Sequence, residues 1–435
     1  MTRTHTIAGL LCVAAVAAVA ACGQSEEPPA PAARTLPTSV CGPLTYGGEG
    51  RPQLLIVNSG SLQGPFADHG VQNAQATKMI LAQRGWRAGP FRIGLQVCDE
   101  ASAGSPLPDE RKCARNARAF AADRSVIAVL GPVTSTCARA MVPVLNRARG
   151  GPVPLVSMGT TYLGLTRKGP GVARGDPDDL YPTGTRNYAR MAPADDAQAA
   201  AGALYAQGLG VRRPYVLHHD DAWGIGVATA FRTTARRLGM QIAGMARWDR
   251  HARDYVSLAK RIRRSGADGV YLGGYAIDNG ARLIADLRDE LGRDVPILGP
   301  DGFNQPERIV EGAGDRAEGF VVTIASLPAR ALPPNGRRFA QEFERRFGAL
   351  PCCFSVQTAQ ATSVVLDAIA DSDGTRGSIL RNIFKTRVHD GLLGSFELDR
   401  YGDTTLRKVA VYRIRAGRLR YVTPISPAPE LLARE

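Results

Sequence analysis

Residues 126–157 read VIAVLGPVTSTCARAMVPVLNRARGGPVPLVS. An apolar, β-branched run over 126–130 gives way to a Gly-Pro turn, then to an amphipathic stretch over 135–147, and then to a second apolar run over 153–157. Strands buried on both faces read as continuous apolar runs, and an amphipathic helix between two of them is the crossover that parallel pairing requires. The stretch therefore predicts a parallel sheet covered by helices.

The same rhythm extends in both directions. Upstream, strands are expected at 53–57 and 91–98, with helices at 68–83 and 109–122. A loop rich in Gly, Pro and Asp follows over 168–184, and the rhythm then restarts. Its strands fall at 214–218, 241–246, 269–273, 295–298 and 319–324, and its helices at 195–207, 226–238, 255–264 and 279–290. Two such runs predict an α/β protein of two doubly wound parallel-sheet lobes. The tail holds three helices (336–347, 355–371, 377–384) and a strand pair near 408–422, too little for a third domain. These pieces complete the two lobes, so the chain is expected to cross between them more than once. The boundaries implied are 48–191 plus 327–394 for lobe 1 and 192–326 plus 395–435 for lobe 2.

The N-terminus reads as an address. Arg3 precedes an apolar run from Ile7 to Ala21 that ends in small residues at Cys22, the pattern of a signal peptide over 1–21. Fifteen apolar residues fall short of the roughly 20 a spanning helix needs. Cys22 sits where a bacterial lipobox places its lipidated cysteine, and residues 22–47, rich in Pro, Ala and Ser, read as anchor and flexible tether. The chain is thus expected to be exported and held on the extracytoplasmic face of a membrane by a lipid. Export places Cys41, Cys98, Cys113, Cys137, Cys352 and Cys353 in an oxidising compartment. Six cysteines allow fifteen pairings, which sequence cannot separate; the local one is Cys98 with Cys113. No pair has CxxC spacing, so a zinc site is not expected.

The net charge of +14 suits nucleic acid or an anionic surface, and export excludes the first. Nine of the Lys and Arg residues fall between Arg236 and Arg264, against Asp249 and Asp254. That cluster reads either as solvated helix faces or as a footing on lipid headgroups or a permease.

Catalytic motifs are missing. There is no GxSxG elbow, no GxxxxGK[ST] loop, no HExxH, and no GxGxxG after the first strand. The HHDD run at 218–221 is read as a polar strand-to-helix turn, because adjacent side chains on a strand alternate in direction and do not converge on a metal. An enzyme is not expected, nor a cofactor or metal.

Small polar and aromatic residues instead gather at the carboxyl ends of the expected strands, where open α/β sheets bind ligands. Ser135 and Thr136 open a helix, where free N–H groups and the dipole favour an anion, although a plain cap is the simpler reading. Gly159, Thr160 and Thr161 form a second small-polar turn. In the second half, GGY exposes Tyr275 and GPDG exposes Asp301. Anion-friendly turns in one lobe and an aromatic with an acid in the other suit a zwitterion held between them.

QGPFADHG (63–70), VLGPVTS (129–135), LVSMGTTYLGLTR, HHDDAWGIG, ADGVYLGGY, ILGPDGF and GSFELDRYGD resemble, in order from about residue 53 to about 419, the leucine/isoleucine/valine-binding proteins. Those are type I periplasmic solute-binding proteins of branched-chain amino acid ABC transporters. The resemblance implies two lobes on a multi-strand hinge. It implies a ligand carboxylate held by Ser135, Gly159 and Thr161, and an ammonium met by Asp301 and Tyr275. It also implies that Trp223 closes over the ligand and that His69 stands where the family has an aromatic, with Phe354 as a further wall. The function expected is capture of a small amino acid and its delivery to an ABC permease by a monomer. A lipid-anchored sensor of the same fold, acting on a signalling partner without transport, is the alternative.

Overall fold

Alternating strands and helices sort into two large sheets. The computed structural model describes residues 1–2, 32–102, 107–352 and 354–433. The expected signal peptide, Cys22 and Cys353 lie outside them.

The first sheet is built from β1 (Leu54–Gly60), β2 (Arg87–Ala88), β3 (Phe91–Asp99), β4 (Val126–Leu130), β5 (Leu155–Ser157) and β6 (Tyr188–Arg190), in the order β2-β3-β1-β4-β5-β6. All its pairs are parallel except β2 with β3. Between these strands run α1 (Ala67–Gln83), α2 (Glu110–Ala122) and α3 (Ser135–Asn146). All five residues of β4 are buried, as an apolar run at the centre of a covered parallel sheet must be.

The second sheet takes α4 (Asp195–Gly208), β7 (Pro214–His218), α5 (Ala222–Arg237), β8 (Gly244–Arg247), α6 (Val256–Arg264), β9 (Gly269–Gly273), α7 (Gly280–Leu291), β10 (Ile297–Gly299), α8 (Pro306–Ala313) and β11 (Val321–Ile324). The chain then returns to the first layer. There α9 (Pro334–Phe347), α10 (Ser355–Ala370) and α11 (Arg376–Ile383) follow, with α10 packed on α1 and β4. After a hairpin of β12 (Arg387–Gly391) and β13 (Gly394–Glu397), the chain crosses again to add β14 (Val409–Arg415) and β15 (Arg418–Ile425). These join the second sheet in antiparallel fashion, giving the order β15-β14-β11-β10-β9-β7-β8. Two sheets linked by three passages of chain are the two lobes and the multi-strand hinge that the sequence predicts.

Differences from the expected elements have local causes. α5 begins at Ala222, four residues earlier than expected, because Asp221 caps it: its carboxylate accepts the Gly224 N–H at 2.6 Å. The sequence reading missed β6 and α8, three and eight residues long, and neither offers a run long enough to show a period. Arg376, buried at the start of α11, donates to the carbonyls of Val126 and Arg149 and so ties α11 to the edge of the first layer.

The disulfides correct the local pairing. Cys41 joins Cys98, and Cys113 joins Cys137. Cys98 lies at the end of β3 beside the incoming segment, and Cys113 on α2 faces Cys137 on the packed neighbour α3, so proximity in the fold overrides proximity in the chain. The segment before β1 is also docked, which shortens the expected tether. Leu36 is buried, its N–H donates to Gln96 Oε1 at 2.7 Å, and Thr45 pairs with Leu95 on β3. Peptide mapping of the unreduced protein is expected to recover the 41–98 and 113–137 links and no 98–113 link. Reduction is expected to cost about 2–4 kcal/mol per bridge, read as a lowered denaturant midpoint.

Candidate ligand-binding site

The strand ends of the two sheets meet at one seam. From the first sheet come Ser135, at the first turn of α3, and the turn 159–162 that follows β5. The Ser135 hydroxyl accepts the Tyr162 N–H at 3.2 Å, so it braces that turn, and Thr134, not Ser135, occupies the cap position. Ser157 Oγ accepts the N–H groups of Gly159 and Thr160 and the Thr160 hydroxyl, which fixes the turn from inside. Thr160 thus faces Ser157 and Tyr188, away from the seam. Gly159 lies against the Phe354 ring, and a Cβ there would sit 2.7 Å from it. Thr161 alone of the three turns its hydroxyl to the second lobe.

From the second sheet come Trp223 on α5, Tyr275 after β9 and Asp301 after β10. Trp223 is buried and its indole N–H is shared by two acceptors, Thr161 Oγ1 at 3.0 Å and Asp195 Oδ1 at 3.1 Å. Its ring packs on Tyr275 with centroids 4.5 Å apart. The two expected aromatics and the threonine are therefore neighbours, and Gly302, the residue after Asp301, lies against both rings. His69 instead makes its ring contact with Phe66, and its half-buried setting pushes the imidazole down to about 4.

Sequence reading missed Asp195. It opens α4, its N–H donates to the Thr161 carbonyl at 2.8 Å, and it is 1% exposed. Its Oδ2 is buried without a partner, as are Asp301 Oδ2, Gln198 Oε1 and the Tyr271 hydroxyl. Burial raises the Asp195 carboxyl to about 8, against the hydrogen bond from Thr161, and the Asp301 charge adds to the rise. Burial likewise raises Asp301 to about 7, although Gln198 and the N–H groups of Ala325 and Gly302 favour its charged form. The available signal was Asp-Asp at a helix start followed by Gln198 one turn later, which looks like any acidic first turn.

The resulting cage holds two carboxyl groups, a threonine and a stacked aromatic pair, a set that favours a cation with several N–H groups. It offers neither an activated nucleophile nor a converged metal set. The one cluster with metal-like spacing among the described residues, Glu100 with Cys113 and Cys137, has both sulfurs in a disulfide. His219, next to the cage, sits between Asp220 and Asp278, with the Trp248 ring tilted to it and the Tyr275 ring edge-on. Burial lowers its pKa, but Asp221, Asp278 and Asp220 outweigh it and raise the value. HHDD is thus an ionic brace behind Tyr275. No described helix is long and apolar enough to cross a membrane.

Comparison with known proteins bears on the family and the fold. An amino acid binding protein of Pseudomonas aeruginosa is 26% identical over 228 residues, 51% of this chain and 59% of that one, so the match spans a little over half of the relative. The structure of a leucine-binding protein, LivK, from Thermotoga maritima superposes with a TM-score of 0.72 at 23% identity, covering 86% of this chain and 99% of that one. A solute-binding protein of R. palustris in complex with 4-hydroxybenzoate gives 0.70 at 17% identity, covering 87% and 98%. The periplasmic binding protein family model matches residues 56–418, and the chain belongs to that family.

Proposed function

We propose that this protein is an extracytoplasmic receptor that closes on a small amino acid and hands it to an ABC permease, tethered to its membrane through a lipid on Cys22. The carboxyl pair carries the reading. Asp195 and Asp301 each bury one unpartnered oxygen, and the Trp223 N–H bridges Thr161 and Asp195 as a ligand ammonium would. An ammonium satisfies the carboxylates and lies against the Trp223 and Tyr275 rings, while turn 159–162 and the N-terminus of α3 receive the carboxylate. A ligand bearing only a carboxylate, such as the 4-hydroxybenzoate held by the R. palustris protein, would set like charge against like in this cage. Contacts from both lobes give the closed form its advantage, since a ligand shifts the equilibrium only by its differential affinity for the two states.

Truncating one partner of a buried charge pair costs about 2–5 kcal/mol, so Asp301→Ala is expected to weaken amino acid binding by that amount in calorimetry. Unchanged affinity would overturn the head-group assignment. The pH dependence has a definite sign. A cationic ligand binds the ionised carboxyls, which in the free protein are still protonated near neutrality. Affinity is therefore expected to rise from pH 6 to pH 8, with protons released on binding, measured as a dependence of binding heat on buffer ionisation enthalpy. The ligand-free protein should show the opposite trend. Carboxyls whose folded pKa lies above the ordinary 3.8 favour folding at low pH, and that contribution fades as pH rises from about 4 through about 8. Asp195→Asn is expected to flatten the loss, read from melting temperatures across that range. Trp223 gives a further readout: ligand entry breaks its hydrogen bonds and is expected to shift its emission.

A further inference from the structure

Thr161 can meet Trp223 and Asp195 only if the backbone of turn 159–162 stays where it is, and beside the Ser135 and Ser157 hydroxyls one charged side chain grips its carbonyls. Arg190, the last residue of β6, is fully buried. Its Nη1 donates to the carbonyls on both sides of Thr161, that of Thr160 at 3.2 Å and that of Tyr162 at 2.9 Å. Its Nη2 reaches Thr166 Oγ1 at 2.5 Å, and its Nε donates to Asp403 Oδ1 at 2.7 Å. The planar fork therefore serves four acceptors at once, which a lysine cannot do.

Asp403 does not belong to the lobe it holds. It lies on the segment between β13 and β14, the last of the three passages between the sheets. Its second oxygen accepts Arg167 Nε and the Thr166 hydroxyl, both at 3.0 Å. The turn carrying Asp403 is pressed onto β6: the Gly402 carbonyl accepts the Arg190 N–H at 2.9 Å. Gly402 has φ +90°, and a Cβ there would lie 2.2 Å from the Tyr188 carbonyl oxygen, so glycine is what lets the two backbones touch.

We propose that Arg190, locked by Asp403, is the positioning residue of the binding turn: it sets where Thr161 stands and ties that position to the C-terminal passage between the lobes. Movement of that passage during opening and closing is then felt at Thr161 through one guanidinium. The proposal rests on the amino-acid reading of the cage, but its first readout needs no ligand.

The test uses the full chain carrying Arg190→Lys, Gly402→Ala or Thr166→Val. Trp223 emission is isolated as the difference between each protein and its counterpart carrying Trp223→Phe, and melting temperature and L-leucine affinity are measured in parallel. Each variant is expected to alter the Trp223 emission of the ligand-free protein at a temperature where it remains folded. Arg190→Lys is expected to weaken L-leucine binding by about tenfold, the low end of what outer-shell partners contribute at metal sites. Thr166→Val, which removes the hydroxyl's hydrogen bonds to Arg190 and Asp403 but no charge, should move both readouts less and in the same direction. A lowered melting temperature with unchanged Trp223 emission and unchanged affinity would make the network merely structural and overturn the proposal. If Arg190→Lys does not fold, the other two variants decide. Failure of L-leucine to bind the parent protein would count against that ligand, and the Trp223 comparison would decide the positioning role alone.

Discussion

Two carboxyl groups share one dry seam. Asp195 is buried, Asp301 is half-buried with its Oδ2 shut in, and among the described residues neither forms an ion pair with a lysine or arginine. A buried charge without a partner is costly, and the usual escape is to keep the proton. Burial does raise both pKa values, and the surroundings offset it only in part: the Thr161 hydroxyl, the Trp223 N–H, Gln198 and backbone N–H groups at the start of β10's following turn. Each comes from a different part of the chain, so the cage exists only while both sheets are in register across the seam. In the proposed reading, the arrangement stores a demand for positive charge, which the ammonium of a zwitterion would supply.

Trp223 gives that demand a gatekeeper. Its N–H donates to Thr161 and Asp195, and net hydrogen bonds of about 0.5–1.5 kcal/mol each are what an entering ligand would have to replace. An ammonium brings charge and several donors, whereas the indole brings a single neutral one.

The architecture was legible in the sequence because its strands are apolar runs with turn residues at both ends. The runs at 126–130, 214–218 and 269–273 coincide with observed strands to the residue. Thr161, Trp223, Tyr275 and Asp301 follow the C-terminal ends of β5, β7, β9 and β10, and that placement was legible from the strand pattern. What escaped has a common cause. β6 is too short for a period, Asp195 reads as an ordinary acidic helix start, and the Arg190–Asp403 contact joins positions 213 residues apart. The disulfides follow the same logic, since Cys41 and Cys98 meet only after the leading segment has paired with β3.

That leading segment has a mechanical consequence. From Ala33 onward it is stitched to the first sheet, by the Ala33 N–H to the Pro52 carbonyl, by Leu36 and Gln96, by the Thr45 bridge and finally by the Cys41–Cys98 bond. The Cys41–Cys98 bond thus closes the leading segment covalently onto the first sheet, so a load applied ahead of it meets that bond before it meets the three segments that cross to the second sheet.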